Sequence, residues 1–271
     1  MPPIALSIVV LFSFALNVNA QVTQSTSQQV PQGIPVPFTP APKDPQAVSV
    51  LNQAVTVAGG IQAIFAINDY TASGNIAYAA NQDMQGSVTL SGRLWGQFRM
   101  DESLPTGVRS QAISDGQTST KDENGTVQHP RVQAPLNPSS LALPYLLLRV
   151  ALQNPTYNLT YDGVAEIDGH STHHIQVQRA LAGGSDTQGV AVSFGTRDFF
   201  VDVSSFQVIM TQDSGKKGAV RQLHYSNYTS MNGILVPFLI SEQWNGQPPT
   251  WVIQLKDIAF NSGLQDSAFQ F

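Results

Sequence analysis

The sequence predicts a mainly β, α+β fold. It is an antiparallel half-barrel of about ten to eleven strands, with an apolar helix over its concave face and an amphipathic helix leading into it. Three observations carry this. From Thr71 onward the chain is cut by turn residues into short alternating runs, the habit of a sandwich or barrel. Leu141 to Leu152, Leu-Ala-Leu-Pro-Tyr-Leu-Leu-Leu-Arg-Val-Ala-Leu, is apolar on every side. A helix of that kind must be enclosed, and the stretch is too short for the roughly 20 residues that cross a bilayer, so protein encloses it. Sheets of a sandwich pack only about 10 Å apart and leave no room for a helix, which favours a curved, open barrel wrapped around one.

Taken in order, Ile4 to Leu16 is an apolar run of signal-peptide length. Val18 and Ala20 follow with the small-residue spacing of a cleavage site before Gln21. The expectation is a signal peptide over 1–20 and an exported chain, in the periplasm or secreted. The segment ahead of the apolar run has no Lys or Arg, so an uncleaved anchor is the competing reading. Residues 21–44, with prolines at 31, 35, 37, 40 and 42 among Gln, Ser and Thr, read as a disordered tether.

Asp44-Pro45 reads as an N-cap and first helical residue, opening the domain over 45–271. Val48, Leu51, Val55 and Ala58 recur at helical spacing, and Gly59-Gly60 stops the helix. Ile61 to Ile67 continues as a short second helix. Strands are expected at 71–79, 85–91, 93–102, 108–114 and 117–122, with Asp115-Gly116 as a hairpin turn. Pro144 opens the apolar helix and Asn154-Pro155 ends it, giving Tyr145 to Gln153. Further strands are expected at 157–167, 171–180, 190–194, 196–203, 206–212, 219–229, 234–243 and 251–260. Asp168-Gly169, Ser204-Ser205 and Asn232-Gly233 are the turns between them.

Composition narrows the chemistry. The chain of 271 residues has no cysteine, which excludes disulfides and a thiol nucleophile. Charged residues make up 11% and net charge is −5, with Lys216-Lys217 the one basic pair of the body. No basic groove exists to follow a phosphate backbone, so nucleic acid is not an expected partner. Asn124, Asn158 and Asn227 head glycosylation sequons.

The order of parts resembles the LolA/LolB/LppX-like superfamily of envelope lipid and lipoprotein carriers. The residues that carry the resemblance are the helix ending in Gly59-Gly60, the phrase Ile67-Asn-Asp-Tyr-Thr-Ala-Ser-Gly74, the strand from His224 to Pro237 and the ending from Asp257 to Phe269. The resemblance implies a half-barrel with an apolar concave face, lidded by helices, that holds acyl chains. It also implies an arginine that helps hold the lid shut, with Arg93, Arg99 and Arg109 as candidates. The candidate lining is Leu141, Leu143, Leu146, Leu147 and Val150 from the helix, with Phe98, Met100, Phe199, Val201, Phe238 and Ile240 from strands. Ordinary core is the bland reading of each.

Other chemistry has weaker support. His170-Ser-Thr-His173-His174 would need to converge on a metal, yet adjacent strand residues face opposite ways. His173 shares a face with Ile175 and Val177, and His174 with Gln176 and Gln178. Asp198 and Asp202 share one face of a strand and could hold a cation, although a solvated strand face is much the commoner case. No nucleophile elbow, His-Glu-x-x-His pair or phosphate loop is present, and Gly183-Gly184-Ser185 reads as a turn. The expectation is a monomeric, non-enzymatic binding protein with no cofactor and no metal. Its partners would be lipid or lipoprotein acyl chains and an envelope membrane protein. Two alternatives stay open: an envelope interaction module with a plain closed core, and a hydrolase whose site is assembled by folding.

Overall fold

The computed structural model describes residues 40–94, 96–130, 135–179, 195–214 and 218–271. The signal segment over 1–20, most of the tether, the turn at Gly183-Gly184-Ser185, the strand expected at 190–194 and the Lys216-Lys217 pair lie outside the described residues.

Helix α1 spans Pro45–Val57 and α2 spans Ile61–Ala66. Asp44 caps α1 as expected, its carboxylate accepting the backbone N–H of Gln46 and Ala47 at 2.7 and 3.1 Å. The buried stripe is Ala47, Val50, Leu51, Ala54 and Val55. Strands β1 (Asp69–Tyr78), β2 (Asn81–Arg93), β3 (Gln97–Leu104), β4 (Gly107–Ser114), β5 (Gln117–Lys121) and β6 (Val127–Gln128) follow. A 3-10 turn at Pro138–Leu141 then leads into α3, Tyr145–Gln153. The second half holds β7 (Tyr157–Ile167), β8 (His170–Arg179), β9 (Thr196–Asp202), β10 (Val208–Ser214), β11 (Val220–Met231), β12 (Ile234–Trp244) and β13 (Trp251–Phe260).

These strands make one 13-stranded sheet in the order β6-β5-β4-β3-β2-β1-β13-β12-β11-β10-β9-β8-β7. Thirteen strands among the described residues exceed the overall figure of ten to eleven; twelve of the spans read from the sequence match them, and β6, a two-residue strand after Asn124-Gly125, is the one with no sequence signal. Pairing is antiparallel throughout, and three hairpins close on two residues that both take positive φ. They are Asp115-Gly116 (50° and 74°), Asp168-Gly169 (51° and 77°) and Asn232-Gly233 (53° and 81°). Such turns match the right-handed strand twist and pin the register.

One expected strand starts late. Phe206 sits at φ 56°, and the Asp202 carboxylate gathers the backbone N–H of Ser204 and Ser205, at 3.0 and 2.7 Å. The turn therefore runs to Gln207 and β10 begins at Val208.

The pairing of β1 with β13 makes the two ends of the domain the middle of the sheet. The edges are then β6 and β7, which are neighbours in sequence and do not pair. The sheet stays open, and the connection between its edges is the stretch that holds α3. The β7 edge is covered in turn by the chain just before α1. Leu159 donates to the carbonyl of Pro42 at 3.1 Å and accepts from Asp44 at 2.8 Å. Two segments that carried the family resemblance meet at the sheet centre. The Asp69 carboxylate accepts the backbone N–H of Ser262, Gly263 and Leu264 at 2.7, 3.0 and 3.2 Å.

Candidate functional site: the concave face beneath α3

Alternation sets the concave face strand by strand. It takes Tyr70, Ala72 and Ile76 from β1, Val88 and Leu90 from β2, and Phe98 and Met100 from β3, all buried. Pro144, whose φ of −57° suits a first turn, caps the start of α3, and the helix ends where Asn154 turns extended before Pro155. Its Tyr145, Leu146, Leu147, Leu148 and Ala151 are buried, Arg149, Val150 and Leu152 are half-buried and Gln153 is exposed, so the helix is enclosed on most of its sides.

The eleven candidate lining residues come together in one apolar cluster. Leu141 from the 3-10 turn, Leu143, Leu146, Leu147, Phe98, Met100, Phe199, Val201 and Ile240 are buried in it, and Val150 and Phe238 pack against it half-buried. Leu148 and Tyr145 belong to the same cluster and had been passed over.

Polar side chains tie the α3 segment down at several points. Lys43 donates to the carbonyls of Ala151 and Leu152 at 2.8 and 2.7 Å, satisfying groups that the last turn of a helix leaves free. Burial pulls the Lys43 pKa below its usual value. Arg149 donates to the carbonyls of Ile64 and Ile67 at 3.2 and 2.9 Å, joining α3 to the end of α2, and lies 4.9 Å over the Phe65 ring. The Tyr70 hydroxyl donates to the Ser139 carbonyl at 2.8 Å. Its ring lies in contact with Gly92, the register partner of Tyr70, where a Cβ would collide with it.

The fourth tie is Arg197 on β9, 2% exposed and on the face of Phe199 and Val201. Its guanidinium forks onto Asp213 of β10, Nε to Oδ1 at 2.7 Å and Nη2 to Oδ2 at 2.8 Å. Nη1 donates to the Ser140 hydroxyl at 2.5 Å, in the turn that leads into α3. Burial works against the charge, and the carboxylate of Asp213 outweighs it, so the pKa is raised.

None of the three arginines nominated from sequence reaches α3. Arg93 pairs with Asp266, and Arg99 pairs with Asp101 at 2.8 Å and reaches the carbonyls of Ala268 and Gln270. Arg109 pairs with Glu102 at 2.8 Å, on the concave side but beside β5 and β6. There Glu102 also accepts the Tyr78 hydroxyl at 2.7 Å, and burial together with that carboxylate pushes the Tyr78 pKa well up. A groove of about 310 Å³ opens along this polar end, lined by Glu102, Arg109, Gln111, Thr120 and Gln128 among others.

The histidines serve separate partners. His173 lies on the face of Ile175, bonded to the Tyr161 hydroxyl at 3.0 Å and stacked on Phe206. His170 meets Asp202 at 3.1 Å, and the hydroxyls of Ser204 and Ser205 bond the same carboxylate at 2.6 and 2.9 Å. Here the carboxylate sits between serine and histidine, whereas a hydrolase triad places the imidazole between them. Asp202, expected on a solvated face with Asp198, is thus the anchor of a turn, and its hydrogen bonds outweigh burial to hold its carboxyl far below the usual range.

Fold and site together define an open antiparallel half-barrel lidded by an apolar helix. No family model and no curated protein matches the sequence. Solved structures do. A domain from Vibrio parahaemolyticus named for outer membrane lipoprotein sorting aligns with TM-score 0.53 at 10% identity, over 83% of this chain and 96% of that one. A LolA superfamily protein from Nitrosomonas europaea aligns with TM-score 0.52 at 12% identity, over 83% and 97%. A DUF1329 family protein from Desulfovibrio piger gives 0.52 at 12%, over 82% and 96%. The shared property at these identities is the fold. Among the described residues no helix is long and apolar enough to cross a membrane.

Proposed function

We propose that the protein is exported by way of residues 1–20, carries its domain on the tether 21–44, and holds acyl chains of a lipid or lipoprotein beneath α3 as a carrier or sensor. The observation that carries this reading is the enclosure of α3. A chain connection bridging two open sheet edges is packed with leucine and fastened by hydrogen bonds that can re-form. An acyl chain crossing water needs such an apolar enclosure, at about 0.8 kcal/mol per methylene, and the enclosure must also release it. Ligand carbon then replaces the contacts α3 gives up, which is the differential affinity that opening requires. The polar groove at Glu102 and Arg109 lies at one end of the same face, where a headgroup would remain wet. Binding of this kind needs no catalytic group and no cofactor, and one chain suffices for it. An envelope membrane protein would be the donor or acceptor.

The test is native mass spectrometry of the chain purified from its own envelope, followed by organic extraction. Near-stoichiometric lipid or acylated protein is expected, lost when Leu146 and Val150 are changed to Asp in protein that keeps its β circular dichroism. A clean mass with no lipid taken up from phospholipid vesicles would overturn the reading.

A further inference from the structure

We propose that Asp162 of β7, His174 of β8 and Asp198 of β9 form a site for one divalent first-row cation, of the Zn²⁺ kind. One ligand atom from each lies within 4.8 Å of the others, and among the described residues this is the one cluster of three such donors. The site is independent of the acyl reading, because alternation puts it on the face opposite Phe199 and Arg197.

Its geometry is made by three neighbouring strands. His174 is in register with Phe200 and Gly163, and Gln176 with Asp198. A bulge after Tyr161 sets two residues of β7, Asp162 and Gly163, opposite His174. Gly163, at φ 100°, contributes no side chain, so the side chain presented to the imidazole is that of Asp162. The imidazole plane is held by stacking on Phe200, with centroids 4.6 Å apart and planes 10° off parallel. Gln176 Nε2 approaches Asp198 Oδ1 at 3.4 Å and steadies that carboxylate.

Two details point to a cation rather than an ion pair. His174 Nε2 is itself buried, in a side chain 26% exposed, and finds no hydrogen-bond partner among the described residues, although Asp198 Oδ1 is 3.3 Å away. The two atoms are near each other without aiming at each other. Zinc bonds of about 2.0–2.1 Å to nitrogen and oxygen put tetrahedral ligands about 3.3 Å apart, the separation this pair already has. Asp162 is exposed, and rotation of its side chain brings the third ligand in. One imidazole and two carboxylates suit Zn²⁺ or Mn²⁺, with the fourth position left to water. The bound ion would bind the β7 edge to β8 and β9.

The experiment is calorimetric titration of ZnCl₂ into the full-length chain after removal of metal by chelator, with Co²⁺ absorption as a second readout of coordination. One Zn²⁺ per chain is expected, with affinity lowered at least about 100-fold in Asp162→Asn and His174→Gln and unchanged in His173→Gln. Because Asp162 is exposed, its variant keeps the fold, checked by circular dichroism. Zn²⁺ should raise the melting temperature of the unmodified chain and not that of Asp162→Asn. Absence of stoichiometric binding, or affinity in Asp162→Asn and His174→Gln equal to that of the unmodified chain, would overturn the site.

Discussion

Replacing Arg197 by Met tests whether the apolar face is fastened through a buried charge. The guanidinium is 2% exposed and has three hydrogen bonds, two to Asp213 and one to Ser140. Methionine fills much of the volume of the stem, so the loss falls mainly on the charge. Removing one partner of a buried pair costs about 3–5 kcal/mol, because the other is left unpaired. Asp213 retains some exposure, 17% of its side chain, and water recovers part of that penalty. The expected loss is therefore at the lower end, about 3 kcal/mol, or roughly 6–12 °C of melting temperature for a domain of this size. Urea unfolding followed by tryptophan fluorescence measures it. The Arg197→Met, Asp213→Leu double variant removes both charges and should recover most of the loss, with a coupling energy of at least about 2 kcal/mol. A single-variant loss below about 1 kcal/mol, or coupling below about 0.5 kcal/mol, would refute the buried-pair account.

Two further outcomes follow from buried polar groups. The Tyr145 hydroxyl in α3 is buried without a well-formed hydrogen bond, and burial pushes its pKa up to about 12. Tyr145→Phe should leave stability unchanged or raise it by about 1 kcal/mol, since no good bond is lost, and a drop of more than about 1 kcal/mol in urea would show that one exists. The Asp202 carboxyl is held below its usual range by Ser204, Ser205 and His170. A depressed carboxylate stabilises the fold above the unfolded value of about 3.9 and loses that contribution as pH falls toward the folded one. The stability gap between the unmodified chain and Asp202→Asn should be full at pH 6 and shrink below about pH 4; a gap that widens on acidification would contradict this.

The bounds of α3 were legible because Pro144 and Asn154-Pro155 act locally, and the turns were legible because Asp-Gly and Asn-Gly accept positive φ on both residues. Pairing between distant strands was not. Nothing near Asp69 or Trp251 says that β1 and β13 are neighbours, so the openness of the sheet had to be argued from the helix it surrounds. Arg197 was hidden for a related reason. Period-two alternation from Phe199 and Val201 does place it on the inner face, but its partner Asp213 becomes visible only through the register of β9 with β10. The arginines chosen instead stand on β2, β3 and β4, where acidic or amide neighbours absorb them. His174 shows the opposite case: its divergence from His173 was correct, while the carboxylates that meet it arrive from flanking strands and from a bulge that Gly163 alone hints at.

The topology also sets the terms on which α3 could move. Holding it are interactions of two kinds, apolar burial and polar ties. Leu143, Leu146, Leu147 and Leu148 are each at most 1% exposed, and returning them to water costs about 6–12 kcal/mol at 1.5–3 kcal/mol apiece. The ties to Ala151, Leu152, Ile64 and Ile67 exchange protein acceptors for water, and each is worth about 1.5–3 kcal/mol because its donor is charged. The four ties total about 6–12 kcal/mol, so polar ties and apolar burial resist an empty opening about equally. An acyl chain of roughly 16 methylenes brings about 13 kcal/mol of its own burial, close to what the leucines give up. Under the acyl reading the apolar part of the exchange is nearly balanced only while the ligand is entering, so α3 stays shut in water and its opening on contact with a lipid source has the polar ties still to break. The polar ties then set the register in which the helix returns, a role that a disulfide, in a chain without cysteine, could not perform reversibly.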